Sequence, residues 1–441
     1  MLGLRLPTTA TAPFCPSEVR GTVAVAPSLS DWRKLLRYLG PGLLISVGYM
    51  DPGNWATDIE AGSRYGTALL FVVGLSSLAG ILLQTLCVRL GITAQKDLAR
   101  LCRERYPRAA ALMLWIFAEI AIIACDVAEV LGSALALNLL FHLPLWLGII
   151  LTGFDTIIVL SLKGRGFRQL EAIVLGLVGT IFLCFAIEIV MLQPALASVL
   201  GGLVPDIRLA SDPTAFYLAV GIIGATVMPH NLYLHSSIIQ TRVTRATVEA
   251  KREAIRWGTV DIVLALVMAM LVNAAILIVA ATAFHEKGQT AVTDIDQAYR
   301  LLQPLTGSAA AALLFGLALL VSGQSSTFTG TVAGQIILEG FLNLKIPCYQ
   351  RRLITRGLAL GPALVGVLTL GEGSVGRLLV LSQVVLTVQL PFAIWPLIRF
   401  TSDRQLMGVF ASGPLLKGVA WTIFAAITAA NVWLLAGAFA A

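Results

Sequence analysis

Charge is what this sequence has least of. Asp, Glu, Lys and Arg make up 12% of it against 57% hydrophobic residues, and its mean hydropathy is +0.86. Soluble domains carry about a quarter charged residues, so a water-soluble globular protein is excluded. Histidine is scarce, with four in the chain, and no His-Glu-x-x-His occurs. That argues against an intramembrane metalloenzyme, whose catalytic metal needs three firm protein ligands and an open position. The six cysteines, Cys15, Cys87, Cys102, Cys125, Cys184 and Cys348, never form a Cys-x-x-Cys pair, which speaks against disulfides and zinc clusters. No N-terminal apolar core of signal-peptide length is present. Residues 1–37, rich at first in Pro, Thr, Ser and Ala, read as a disordered cytoplasmic tail. The formal charge of +7 finds no clustered soluble face, so no nucleic-acid partner is expected.

What the chain has instead is long uncharged runs: 65–88, 130–154, 213–241, 262–285, 301–338, 378–398 and 418–441. A spanning helix needs roughly 20 apolar residues. Allowing a charge or two within some spans, the pattern predicts eleven helices near 38–60, 67–88, 112–141, 145–162, 169–190, 214–240, 257–283, 308–340, 353–371, 376–398 and 417–440. The basic residues test this map, because short cytoplasmic loops hold the excess of Lys and Arg. With the N-terminus inside, alternate segments hold 26 of the 31 basic residues and the remaining connections hold 5. The N-terminus is therefore expected in the cytoplasm and the C-terminus outside, with the lipid bilayer as the chain's solvent and no obligate protein partner.

Two breaks interrupt these helices, Asp51-Pro52-Gly53-Asn54 and Met228-Pro229-His230-Asn231. Proline removes a donor and clashes with the preceding turn, and glycine weakens helix further, so both stretches should unwind and release carbonyls. Such groups are tolerated in a membrane only where they are buried in protein or line a cavity. The breaks open two five-helix units, 38–190 and 214–398, followed by an eleventh helix at 417–440. An odd number of helices per unit inverts the second unit. This is an all-α integral membrane protein with a 5+5 inverted repeat, the logic of secondary transporters whose substrate sits near the midplane between broken helices.

The residues at the breaks suggest the substrate. A carboxylate near the middle of a span costs about 2.5–3.5 kcal/mol on insertion scales, so Asp51 needs a partner or a role beyond capping the second half-helix. Asn54 adds an amide oxygen, and Met228 brings a thioether beside the freed carbonyl of Ala225. Oxygens suit Mg, Ca and Mn, whereas one thioether among them disfavours the hard ions and accepts Mn²⁺, Fe²⁺, Co²⁺ or Cd²⁺. His230 and His235, five residues apart, do not share a helix face, and His230 is a candidate for proton handling. Glu119, Asp126 and Glu129 lie along one stripe, read either as a proton path or as partners of Arg351, Arg352 or Arg356. The segment from Gly323 to Thr331 reads as close helix packing. Gln383 is open between a cavity amide and a cross-helix bond, and the roles of Asp155 and Glu188 stay open.

Taken together, these residues resemble the natural resistance-associated macrophage protein (Nramp) family of divalent metal transporters, in its bacterial manganese branch. Asp-Pro-Gly-Asn at 51–54, Met-Pro-His-Asn at 228–231 and the stretch Gly323 to Gly334 carry the resemblance. It implies a LeuT-type fold with helices 1 and 6 unwound, in a bacterial plasma membrane. It also implies a metal site of Asp51, Asn54, Met228 and the Ala225 carbonyl, joined in some states by the Gly48 carbonyl and Gln383. A proton pathway through His230, Asp126, Glu129 and an arginine at 351 or 352 is implied as well. No cofactor is expected, since Mn²⁺ or a similar ion and H⁺ are cargo. The main competing readings are an amino-acid symporter of the same fold, disfavoured because Asp51 would face a substrate carboxylate, and a passive channel.

Overall fold

A computed structural model describes residues 20–25, 28–154, 167–306, 308–344, 346 and 348–440. Asp155, the tail before residue 20 and the far half of the fourth predicted helix lie outside these residues. The described elements are helical, apart from one isolated bridge between Val23 and Arg242. Nine helices among the described residues are long and apolar enough to cross a membrane.

The first span is split into α2 (Pro41–Gly48) and α3 (Pro52–Tyr65), preceded by a short α1 (Asp31–Tyr38). There follow α4 (Leu70–Ala94), α5 (Leu98–Arg105), α6 (Arg108–Phe141), α7 (Leu145–Thr152), α8 (Phe167–Leu192) and α9 (Leu196–Gly201). The sixth span is split into α10 (Pro213–Thr226) and α11 (Pro229–Ile238). Beyond it run α12 (Val248–Ala283), α13 (Ile295–Thr306), α14 (Ala309–Leu342), α15 (Cys348–Leu370), α16 (Val375–Ser402), α17 (Arg404–Met407) and α18 (Pro414–Ala440). Pro52 and Pro229 both stand at the first position of a half-helix, where a missing N–H costs nothing.

The half-helices are fully buried at their break, while outward faces of α6, α8, α15 and α18 expose Leu, Ile, Val and Trp. An apolar exterior of this kind is what a lipid solvent requires. The glycine-rich part of α14 packs on α6, and a Cβ on Gly323 would lie 2.3 Å from Ser133 Oγ. Small residues here let the two backbones approach closely, as the sequence predicts.

One end of the bundle gathers basic residues and clamps the start of α2. The buried Arg242 guanidinium donates to Glu171 at 2.5 Å and to the Leu39 carbonyl at 3.0 Å. Asp261 on α12 accepts from the backbone N–H groups of Gly40 and Gly42 at 3.1 and 2.6 Å. Gly40 sits at φ +149°, and a Cβ there would meet the Glu171 carboxyl carbon at 2.2 Å, so only glycine fits. The approach to this clamp departs from the expected disordered tail. Gly21 and Val23 donate backbone bonds to Gln240 and Thr241, and Lys34 of α1 pairs with Glu253 at 2.5 Å. These partners lie more than 200 residues away, where no local pattern could announce them.

Candidate metal-transport site

At the first break, Tyr49 to Asp51 leave the helix, and three carbonyls lose their intrahelical partners. Buried carbonyls must be paired elsewhere. Met50 O accepts from Ser322 Oγ of α14 and from Trp55 Nε1, and Tyr49 O accepts from Asn273 Nδ2 of α12 at 2.8 Å. Gly48 O faces Asn54 Nδ2 at 3.4 Å. Asp51 does cap α3: its Oδ1 accepts from the backbone N–H of Asn54 at 2.9 Å. The capping reading thus describes one oxygen only. Asp51 Oδ2 is buried with no hydrogen-bond partner among the described residues, which capping does not explain.

The Asn54 amide nitrogen is the centre of the constellation. It lies 2.7 Å from Asp51 Oδ1, 3.0 Å from Ala225 O and 3.4 Å from Gly48 O. A carboxylate and two freed carbonyls, from both broken helices, therefore converge on one partial positive charge. Met228 Sδ is part of the same surround, since a Cβ on Gly48 would lie 3.3 Å from it and 2.5 Å from Asn231 Nδ2. Both atoms of the Asn231 side-chain amide are buried without a partner among the described residues. Asp51, Asn54, Ala225, Met228 and Gln383 are all 0–1% exposed, so the site is closed to both sides. Gln383 of α16 presses on Gly53, and its Oε1 has no hydrogen-bond partner among the described residues.

The acids of α6 separate into two groups. Glu119 accepts from Trp115 Nε1 at 2.9 Å and from Arg351, which fastens α6 to α15. Further in, a Cβ on Gly330 of α14 would lie 3.0 Å from Glu129 Oε1 and 3.3 Å from Asp126 Oδ1. The guanidinium beside Glu129 is that of Arg356, at 3.8 Å, with Thr327 Oγ1 accepting from it at 3.2 Å. The Arg352 side chain lies outside the described residues. Cys125 connects this group to the second break, its Sγ 3.8 Å from Glu129 Oε1 and 3.9 Å from His230 Nε2. Cys125 also shares a small buried cluster with Ala121, Met228 and Leu386. His235 points elsewhere, with Nδ1 3.0 Å from Gln84 Oε1, and Gln84 donates to Tyr49 OH at 3.1 Å.

Sequence reasoning passed over Cys125 and Asn273. Cys125 adjoins Asp126 and precedes Glu129 by one helical turn, a visible signal. Asn273 is an amide in the uncharged run 262–285. A polar group in such a run needs a partner, and this one donates both to Tyr49 O and, at 3.2 Å, to Asn54 Oδ1.

Two broken helices meeting at buried polar groups deep in an apolar bundle are the arrangement of a membrane transporter. The chain in fact belongs to the Nramp family: residues 42–437 match the model of natural resistance-associated macrophage protein-like proteins. It is 62% identical over 429 residues to the divalent metal cation transporter MntH of Ralstonia nicotianae, covering 97% of each chain. Its fold matches a crystal structure of a manganese transporter variant from Eremococcus coleocola with a TM-score of 0.88 and 38% identity, over 96% of this chain and 92% of that one. At 14% identity the nucleobase-cation-symport-1 transporter Mhp1 shares the LeuT-type fold alone, with a TM-score of 0.60 over 97% of this chain and 94% of that one. The protein is thus a multi-pass membrane transporter of divalent metal cations, and no enzyme.

Proposed function

We propose that this chain imports Mn²⁺, with Fe²⁺, Co²⁺ and Cd²⁺ as further substrates, by alternating access coupled to proton entry. The observation that carries this reading is the convergence of Asp51 Oδ1, Ala225 O and Gly48 O on the Asn54 amide nitrogen. An M²⁺ ion takes the place of that N–H₂ group, and the amide turns so that Oδ1 joins the ligands. Met228 adds sulfur to a shell of oxygens. Hard Ca²⁺ and Mg²⁺ gain little from a thioether while softer ions gain more, and selectivity is that difference. Gln383, whose amide nitrogen lies against Gly53 and whose oxygen has no partner among the described residues, completes the shell in some conformations.

One carboxylate leaves a bound M²⁺ with an uncompensated positive charge, which favours release of a nearby proton. His230 and the buried pair Asp126 and Glu129, linked through Cys125 and neighboured by Arg356, are the proposed route for it. Glu119 and Arg351 flank the mouth of that route. One M²⁺ with one H⁺ moves three charges, and a potential of 100 mV then contributes about 7 kcal/mol at about 2.3 kcal/mol per charge. The clamp on α2 by Arg242, Glu171 and Asp261 fits a closed cytoplasmic side, with the basic end facing the cytoplasm.

The test is uptake of Mn²⁺ into proteoliposomes with and without an inward pH gradient, with lumenal pH recorded and excess Ca²⁺ as competitor. Uptake that acidifies the lumen and resists Ca²⁺ is the expected result. Uptake without proton entry would reduce the reading to uncoupled metal passage, and leucine uptake in its place would restore the amino-acid symporter.

A further inference from the structure

We propose that the basic end of the bundle carries a headgroup site for an anionic phospholipid, remote from the metal path. A cavity of about 480 Å³ lies between the last turn of α5, the last turns of α16 and the first turns of α18. Arg105, Arg399 and Lys417 line it together with Tyr106, Ser402 and Trp421. Three cations thus face one cavity, and the carboxylate in its wall, Asp403, is already engaged. It accepts from the Gln405 N–H at 2.8 Å and stands 3.8 Å from Arg105. Arg399 and Lys417 have no ion pair among the described residues, and Ser402 Oγ is buried there with no hydrogen-bond partner. Two unpaired cations and Arg105, beside a hydroxyl with no partner among the described residues, are a complement to phosphate oxygens.

The cavity's surroundings select a lipid over a free anion. It opens where the membrane helices end, at the level where Trp and Tyr of membrane proteins sit against headgroups. Trp421 in its wall stacks edge-on with Trp395 at 4.9 Å and with Phe424 at 5.3 Å, and Trp395 is 45% exposed on the lipid-facing side. This aromatic ladder leads from the charged cavity down the seam of α16 and α18 towards the acyl region. Basic pockets of this type between membrane helices suit the phosphodiester of an anionic lipid in the same leaflet.

Native mass spectrometry of the purified full chain, with phosphatidylglycerol and phosphatidylcholine added in equal amounts, tests the proposal. Phosphatidylglycerol should be retained with a preference of about tenfold or more, the scale on which several interfacial cations act together. The Arg399→Ala/Lys417→Ala variant should lose that preference, and Arg399→Lys/Lys417→Arg should keep it. If the double alanine variant does not elute as a single folded species, Lys417→Ala alone, on the exposed first turn of α18, should cut the preference severalfold. Millimolar inorganic phosphate should not displace the bound lipid. Equal retention of the two lipids, or an unchanged preference in the alanine variants, would overturn the proposal. Displacement by inorganic phosphate would also do so, marking a site for a soluble anion instead.

Discussion

At the first break each freed carbonyl has found a donor, from Ser322, Trp55, Asn273 or Asn54, and Asp51 caps the half-helix beyond it. The second break is furnished differently. Met228 makes no side-chain cap, and Thr226 Oγ1, His230 Nδ1 and both atoms of the Asn231 amide are buried without partners among the described residues. The same proline-first unwinding thus yields one half-site held largely by hydrogen bonds, with Asp51 Oδ2 left over, and one with more of its polar atoms unpartnered among the described residues, although Ala225 O accepts from Asn54. Buried polar groups without partners cost free energy in the resting protein and gain most when a cation or water reaches them. The first break sets geometry and offers the one carboxylate, and the second adds further polar atoms that a substrate could engage.

Four substitutions probe that contrast, starting with the largest expected effect. Asp51→Ala removes the single anionic donor, and Mn²⁺ uptake should fall by on the order of 100-fold, about 2.8 kcal/mol; uptake near the wild-type rate would remove the first break from the site. Asn54→Ala deletes the hub of the first break while Asn231→Ala deletes an amide with nothing to lose. In metal-free protein, thermal unfolding should show Asn54→Ala losing about 1–3 kcal/mol, and Asn231→Ala should stay within about 0.5 kcal/mol. Equal losses would erase the distinction between the breaks. Met228→Ala should keep Mn²⁺ uptake in part while Ca²⁺ competes about tenfold better, close to 1.4 kcal/mol of selectivity. An unchanged competition profile would leave the thioether without a role. The smallest effect is expected at Asn273, whose Nδ2 holds the Asn54 oxygen away from the converging donors. Freeing that oxygen by Asn273→Ala should tighten Mn²⁺ binding by about threefold, within the usual worth of one hydrogen bond, as titration calorimetry can read. Weaker binding would mean that Asn273 orients Asn54 for the metal.

Much of this architecture was open to a reading of the residues because membrane constraints are severe. Apolar runs and loop charge place the helices, and Pro-Gly or Pro-His within a run marks a break wherever lipid forbids one. That Asp51, Asn54 and Met228 stand at the two breaks was legible for the same reason, since each is costly or unusual inside a span. What the residues could not announce is pairing across the bundle. Glu119, Asp126 and Glu129 share one stripe, yet the first is tied to Arg351 and the last neighbours Arg356. That division depends on how α15 crosses α6. Cys125 stands beside Asp126 in the sequence, yet its link to the second break shows only once α11 brings His230 to within 3.9 Å of it. The ordered approach to α2 depends likewise on contacts with residues 240–243 and Glu253.

Crystals grown with Mn²⁺ and measured at the manganese absorption edge put the central claim to its most direct test. The account predicts one anomalous peak between the two half-helix starts, with an Asp51 oxygen and the Met228 sulfur both in its coordination shell. A peak elsewhere in the bundle, or one that either of these side chains fails to touch in every conformation captured, would contradict it.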